Sequence, residues 1–153
     1  MDCSPITDTL FLGTTPTPRD YDHLRSLGIT LVINMRVEQR PHPDPHHEPI
    51  RTLRFRTFDS PFLPIPLRVL EKGVRAAVDE IERGGKVFVH CFGGRHRSAA
   101  MAASILIAQG HPPAEAMALL KERHANADSD IWYIKNRILN FAKRWAKGSK
   151  QNQ

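Results

Sequence analysis

Lys86-Val87-Phe88-Val89-His90-Cys91-Phe92-Gly93-Gly94-Arg95-His96-Arg97-Ser98 joins an apolar, β-branched run to a short loop carrying two adjacent glycines. Past Arg97 the chain becomes smoothly helical, Ser98-Ala99-Ala100-Met101-Ala102-Ala103-Ser104-Ile105-Leu106-Ile107-Ala108-Gln109. The pattern predicts a buried strand, a loop and a buried helix in direct succession. A loop in that position sits on a helix N-terminus, where unpaired backbone N–H groups and the helix dipole favour an anion. The same field favours the thiolate form of a cysteine placed at the strand end. One short stretch therefore combines a nucleophile, Cys91, with a positive cup for a phosphate.

The residue types suggest the chemistry. A phosphate monoester needs an in-line nucleophile, neutralisation of its equatorial oxygens and protonation of the leaving oxygen. Cys91 offers the nucleophile and a covalent cysteinyl-phosphate. Arg97 presents a planar fork suited to two phosphoryl oxygens, which a lysine would not reproduce. Backbone donors from Phe92, Gly93, Gly94, Arg95 and His96 complete the cup, and Ser98 can hydrogen-bond the sulfur as it departs. His90 is assigned to ordering the loop. No metal or other cofactor is required.

HCFGGRHRS resembles the signature of the cysteine-dependent protein tyrosine phosphatase superfamily, His-Cys-x-x-Gly-x-x-Arg-Ser/Thr, with His90, Cys91, Gly94, Arg97 and Ser98 at its fixed positions. Leu10-Phe11-Leu12-Gly13, a helix, and then Leu27 to Met35 are similar to the N-terminal half of small dual-specificity phosphatases, so the resemblance covers about residues 6 to 145. It implies a general acid on a separate loop. Asp59 is the first choice: it ends the strand-like run Thr52 to Phe58, opens the Pro-rich loop Ser60 to Pro66, and precedes Cys91 by 32 positions, a spacing similar to that family's. Asp44 is the second choice. Arg95-His96 resembles branches of the family acting on inositol phosphates or phosphoinositides. Several relatives carry a water-orienting Gln on the last helix; here the nearest amide is Asn136.

The fold expected is α/β and three-layered, a central four- or five-stranded, mostly parallel sheet flanked by helices. Helices are predicted over Thr17–Gly28, Leu67–Arg83, Ala114–His124 and from Ile131 onward. With 153 residues and 41% hydrophobic content the chain suits a single domain with a proper core, ordered over about 6–147. The formal charge of +6 favours acidic ligands, and the substrate expected is a phosphorylated protein or an inositol phosphate. The basic residues are scattered, without aromatic interleaving, so nucleic acid is not expected. Only two cysteines occur, and Cys3 is read as a bystander on a mobile terminus. That usage, with no apolar run of membrane-spanning length, predicts a cytoplasmic monomer without a membrane span.

Residues Arg36 to Ile50 form a Pro- and His-rich connection. His42, Asp44, His46 and His47 invite a metal reading, but Pro41, Pro43, Pro45 and Pro49 impose a stiff, extended path on which the imidazoles need not converge. A role bordering the pocket and selecting substrates is the expectation. Two other functions stay open: a phosphate-binding pseudophosphatase, and a sulfur-transfer or arsenate-reducing enzyme. Sulfur transfer requires neither Arg97 nor a mobile Asp, and the arsenate route usually needs further cysteines, which this chain lacks.

Overall fold

The computed structural model describes residues 1–151. Five strands form one sheet: β1 (Cys3–Pro5), β2 (Leu10–Thr14), β3 (Ile29–Asn34), β4 (Arg51–Arg54) and β5 (Lys86–Cys91), in the order β1-β2-β5-β3-β4. β1 runs antiparallel to β2, and every other neighbouring pair is parallel. The helices are α1 (Tyr21–Ser26), α2 (Leu67–Glu82), α3 (Arg97–Ala108), α4 (Pro113–Arg123) and α5 (Trp132–Gln151). Among the described residues no helix is long and apolar enough to cross a membrane.

Strand alternation sorts the core. Val87, Val89 and Cys91 point into the larger cluster with the buried faces of α2, α3, α4 and α5, whereas Phe88 joins Phe11, Tyr21, Leu24, Ile29 and Val32 on the α1 side. α3 is buried from Arg97 through Leu106 and touches α2, α4, α5 and β5. The alanines of its buried stretch, Ala99, Ala100, Ala102 and Ala103, suit that crowding, and Ile105 and Leu106 each contribute about 1.5–3 kcal/mol of burial. Because β5 lies between β2 and β3, its carboxyl end opens mid-sheet, where parallel α/β sheets bind ligands.

Three expectations need correction. The N-terminus is part of the sheet: Cys3 pairs with Gly13, Thr14 N donates to Asp2 O at 3.0 Å, and Ser4 Oγ meets His124 Nδ1 at 2.8 Å. Gly13 makes this possible, since a Cβ there would fall 1.8 Å from Asp2 O. The ordered region thus begins before residue 6, and α5 carries it past 147. The strand anticipated over Thr52–Phe58 ends at Arg54. Beyond it Phe55 N still donates to Asn34 O and Val37 N to Thr57 O, while Arg54 turns its guanidinium onto Arg36 O and Val37 O and Thr57 Oγ1 donates to Met35 O, so side-chain bonds interleave with an interrupted ladder. The first helix opens as a 3₁₀ turn, Pro18–Asp20, with Asp20 Oδ2 accepting from Thr17 N at 2.7 Å.

Candidate active site

Cys91 ends β5 with its Sγ 3.1 Å from Ser98 Oγ on the first turn of α3. Among the described residues, the N–H groups of Phe92, Gly93, Gly94, Arg95 and His96 donate to no protein acceptor. Five donors without partners in one tight loop form an anion-binding nest. Gly94 holds the loop's shape: its φ is +66°, and a Cβ there would sit 2.9 Å from His124 Nε2 and 3.0 Å from Gly13 O.

The guanidinium of Arg97 is buried and partly spoken for. Nη1 donates to Glu38 Oε2 at 2.9 Å, Thr57 O at 3.0 Å and Met35 O at 3.3 Å, while Nη2 donates to Glu38 Oε1 at 2.8 Å. Nε has no partner among the described residues. Of the five N–H bonds in the fork, the free ones are Nε–H and the second on Nη2, which share an edge and suit two oxygens of one anion. Burial opposes the charge on Arg97, but Glu38, Cys91 and Asp59 outweigh it and push its pKa up. Reciprocally, the hydrogen bonds from Arg97 hold Glu38 down at about 2.

Asp59 faces this cup across a cavity of about 540 Å³ lined also by Arg36, Glu38, Cys91, Phe92, Gly93, Arg95, His96 and Arg97. Its Oδ1 accepts from Tyr133 Oη at 2.7 Å, and His96 Nδ1 lies 2.9 Å from Oδ2. Burial, then Asp59, push Tyr133 up to about 12, so it remains a donor at working pH. His90 is buried and stacked on Phe88 (centroids 5.6 Å apart); burial, then Arg36, push it down to about 3, which leaves it neutral.

Asp44 lies elsewhere. Both carboxylate oxygens are taken by Arg25, at 2.6 and 3.1 Å, with further bonds from Ile50 N and His46 N. Despite its burial these donors hold Asp44 well below the usual carboxylate range. His46 spends its ring nitrogens on Asp44 and Asp22, each at 2.6 Å, and His42 meets Gln39 at 2.9 Å. The middle of this connection is thus a strap on α1. Asn136 is turned away, pairing with Arg137 and Asn140.

Sequence reasoning missed Glu38, Arg36 and Tyr133. Strand register, which the sequence does not show locally, places the first two. β3 pairs with β5 with Asn34 opposite His90, so the residues after Asn34 emerge beside Cys91. Arg36 takes that place, its guanidinium 5.1 Å from the Phe92 ring centroid and donating to Thr15 Oγ1 at 2.8 Å.

No family model matches the sequence. The chain is 29% identical to mouse dual specificity phosphatase 28 over 129 residues, 84% of this chain and 77% of that protein. It is 31% identical to human dual specificity phosphatase 28 over 102 residues, 67% of this chain and 56% of that protein. Its fold is similar to the crystal structure of PTPMT1, with a TM-score of 0.83 at 23% identity, covering 98% of this chain and 99% of that one. It is also similar to human DUSP28, with a TM-score of 0.82 at 24% identity and 93% of each chain covered. A cysteine and an arginine closing an amide-lined loop on this sheet, together with these relatives, place the chain in the cysteine-dependent protein tyrosine phosphatase superfamily, among its small dual-specificity members.

Proposed function

We propose that this protein hydrolyses phosphate monoesters, as a protein tyrosine or dual-specificity phosphatase, through a cysteinyl-phosphate on Cys91. The observation that carries this reading is the donor inventory of the loop that follows Cys91: five backbone N–H groups and one edge of Arg97 without a protein acceptor among the described residues, on a segment that lines the same cavity as the sulfur. In the first step the Cys91 thiolate attacks phosphorus, the phosphorus–oxygen bond breaks, and the leaving oxygen takes a proton from Asp59. In the second, water attacks phosphorus, its proton passes to the Asp59 carboxylate, and the phosphorus–sulfur bond breaks with Ser98 hydrogen-bonding the departing sulfur. Arg97 neutralises charge in both transition states. Two free cysteines support a reducing compartment such as the cytoplasm, and we take the protein to act as a monomer.

Rapid acid quench with a phosphotyrosine peptide tests the scheme. Phosphate on Cys91, found by mass spectrometry, is the expected result. Steady turnover with no phosphorylated Cys91, or turnover surviving in Cys91→Ser, rules it out.

A phosphoinositide substrate is the second reading, and one observation favours it. Of the large hydrophobic side chains exposed among the described residues, Phe58, Phe62, Leu63, Phe92 and Trp132 belong to the loops and helix start around the pocket, beside Arg36 and Arg95. An apolar rim with cationic walls suits a lipid phosphate. A further solved structure of similar fold is PTPMT1 in complex with PI(5)P, with a TM-score of 0.79 at 24% identity. A higher kcat/KM on phosphoinositide vesicles than on phosphopeptides would favour this reading; the reverse ranking would remove it.

A further inference from the structure

The scheme above leaves His96 without a task, although its side chain is held between two carboxylates. Nδ1 lies 2.9 Å from Asp59 Oδ2 and 3.1 Å from Oδ1. Nε2 lies 3.7 Å from Asp128 Oδ2, buried and without a hydrogen-bond partner among the described residues. Tyr133 packs edge-on against the ring, centroids 6.0 Å apart, and fixes Asp59 Oδ1. Asp128 is anchored in turn, its N–H donating to Arg95 O at 2.8 Å.

This arrangement restricts where protons can sit. A hydrogen on Nε2, rather than a lone pair, would suit the Asp128 carboxylate, and Nδ1 and Asp59 are then placed to share one proton. Either the imidazolium donates to the carboxylate, or the carboxylic acid donates to neutral imidazole. The two forms carry equal charge and differ by one proton moved over 2.9 Å. Other groups facing the pair are Tyr133 from α5, Arg97 from α3 and Arg95 within the loop, while Arg36, Glu38 and Cys91 line the cavity opposite.

We propose that His96 is a positioning residue through which Asp59 keeps its proton at neutral pH, with Asp128 setting the tautomer. A lone aspartate holds a proton only in acidic solution, whereas an imidazole does so to near neutrality. During the first step the one shared proton passes through Asp59 to the leaving oxygen, which leaves the Asp59 carboxylate beside a neutral imidazole with hydrogen on Nε2. In the second step the proton taken from water restores the pair. No proton is gained or lost by the pair over a turnover.

The proposal rests on Asp59 being the acid in the reading above, and the test separates the two. The pH profile of kcat is measured with phenyl phosphate, whose leaving group needs protonation, for the parent protein, His96→Ser, His96→Asn and Asp59→Asn. Asparagine keeps a donor toward Asp59 but cannot hold the extra proton. Both His96 variants are expected to move the basic limb down by roughly one unit or more, so that the loss in kcat grows with pH, with KM little changed. Asp59→Asn should remove the limb altogether. If Asp59→Asn removes the limb while both His96 profiles keep the parent's, the pair is refuted and the acid stands. If Asp59→Asn leaves the limb in place, both fall. A His96→Asn profile matching the parent's while His96→Ser loses activity equally at every pH reduces His96 to packing and overturns the proposal.

Discussion

The floor of the pocket comes from one continuous stretch that starts at Cys91, whereas its walls come from separated segments carrying Arg36 and Glu38, and Asp59, which Tyr133 holds from outside the lining. The reacting side chains of the floor, Cys91, Arg97 and Ser98, are buried, and its shape is set by backbone geometry and by a glycine in the left-handed region. The walls are held by side-chain hydrogen bonds and are partly open to solvent: Glu38 and Asp59 are 42% and 37% exposed in their side chains. A floor of that kind presents an anion with a fixed set of donors before it arrives. The walls can adjust, and proton transfer and substrate selection are assigned to them.

The contrast predicts a ranking. Cys91→Ser, on the floor, should cost at least about 10⁴-fold in turnover, because the covalent route disappears; a residual rate above that level, measured on pure protein, would deny the floor its role. Asp59→Asn, on the wall, should cost about 10²–10⁴-fold with a poor leaving group and less with an activated aryl ester. Equal losses on both esters would break the division between floor and wall.

Glu38→Gln comes next, about 10–100-fold in kcat/KM, by loosening the fork of Arg97 rather than by removing a reacting group. Its pH signature is distinctive. The Glu38 carboxyl is depressed to about 2, so its stabilising pairing is complete above the ordinary carboxylate range and is lost as pH falls toward 2. Within the assay range this pair does not titrate, and the variant's pH limbs should coincide with the parent's. A displaced limb would move Glu38 from positioning Arg97 into the proton chemistry.

Gly94→Ala tests the floor's backbone. Strain at positive φ and the close approach to His124 and Gly13 should cost about 1–3 kcal/mol in denaturant unfolding; an unchanged midpoint would show the loop to be pliable. Asp44→Ala should cost a similar 1–3 kcal/mol through the lost Arg25 and backbone bonds, with the smallest change in kcat of the series. A large drop in kcat would return Asp44 to the list of acids.

The floor could be read from sequence because its chemistry and its fold share one contiguous pattern: an apolar strand, glycines, then a buried Ala-rich helix. Asp59 was legible from the proline-rich loop it opens, although its strand stops earlier, where Arg54 and Thr57 hold the chain to the β3 exit. Glu38, Tyr133 and Asp128 were not legible. Their importance depends on the register of β3 against β5 and on which turn of α5 meets the Asp59 loop, neither of which local periodicity encodes. The histidines of the 36–50 connection invite a metal reading that its four prolines argue against, and in the structure His46 and Asp44 serve α1.

The first strand gives the two sulfurs of the chain opposite fates. Cys3 is half-buried at the edge of the sheet, and burial pushes its thiol up to about 12, which disfavours the alkylatable anionic form under ordinary buffers. A haloacetamide is therefore expected to label the pocket cysteine first, so that a fluorophore attached the same way should mark one address with the other cysteine left in place.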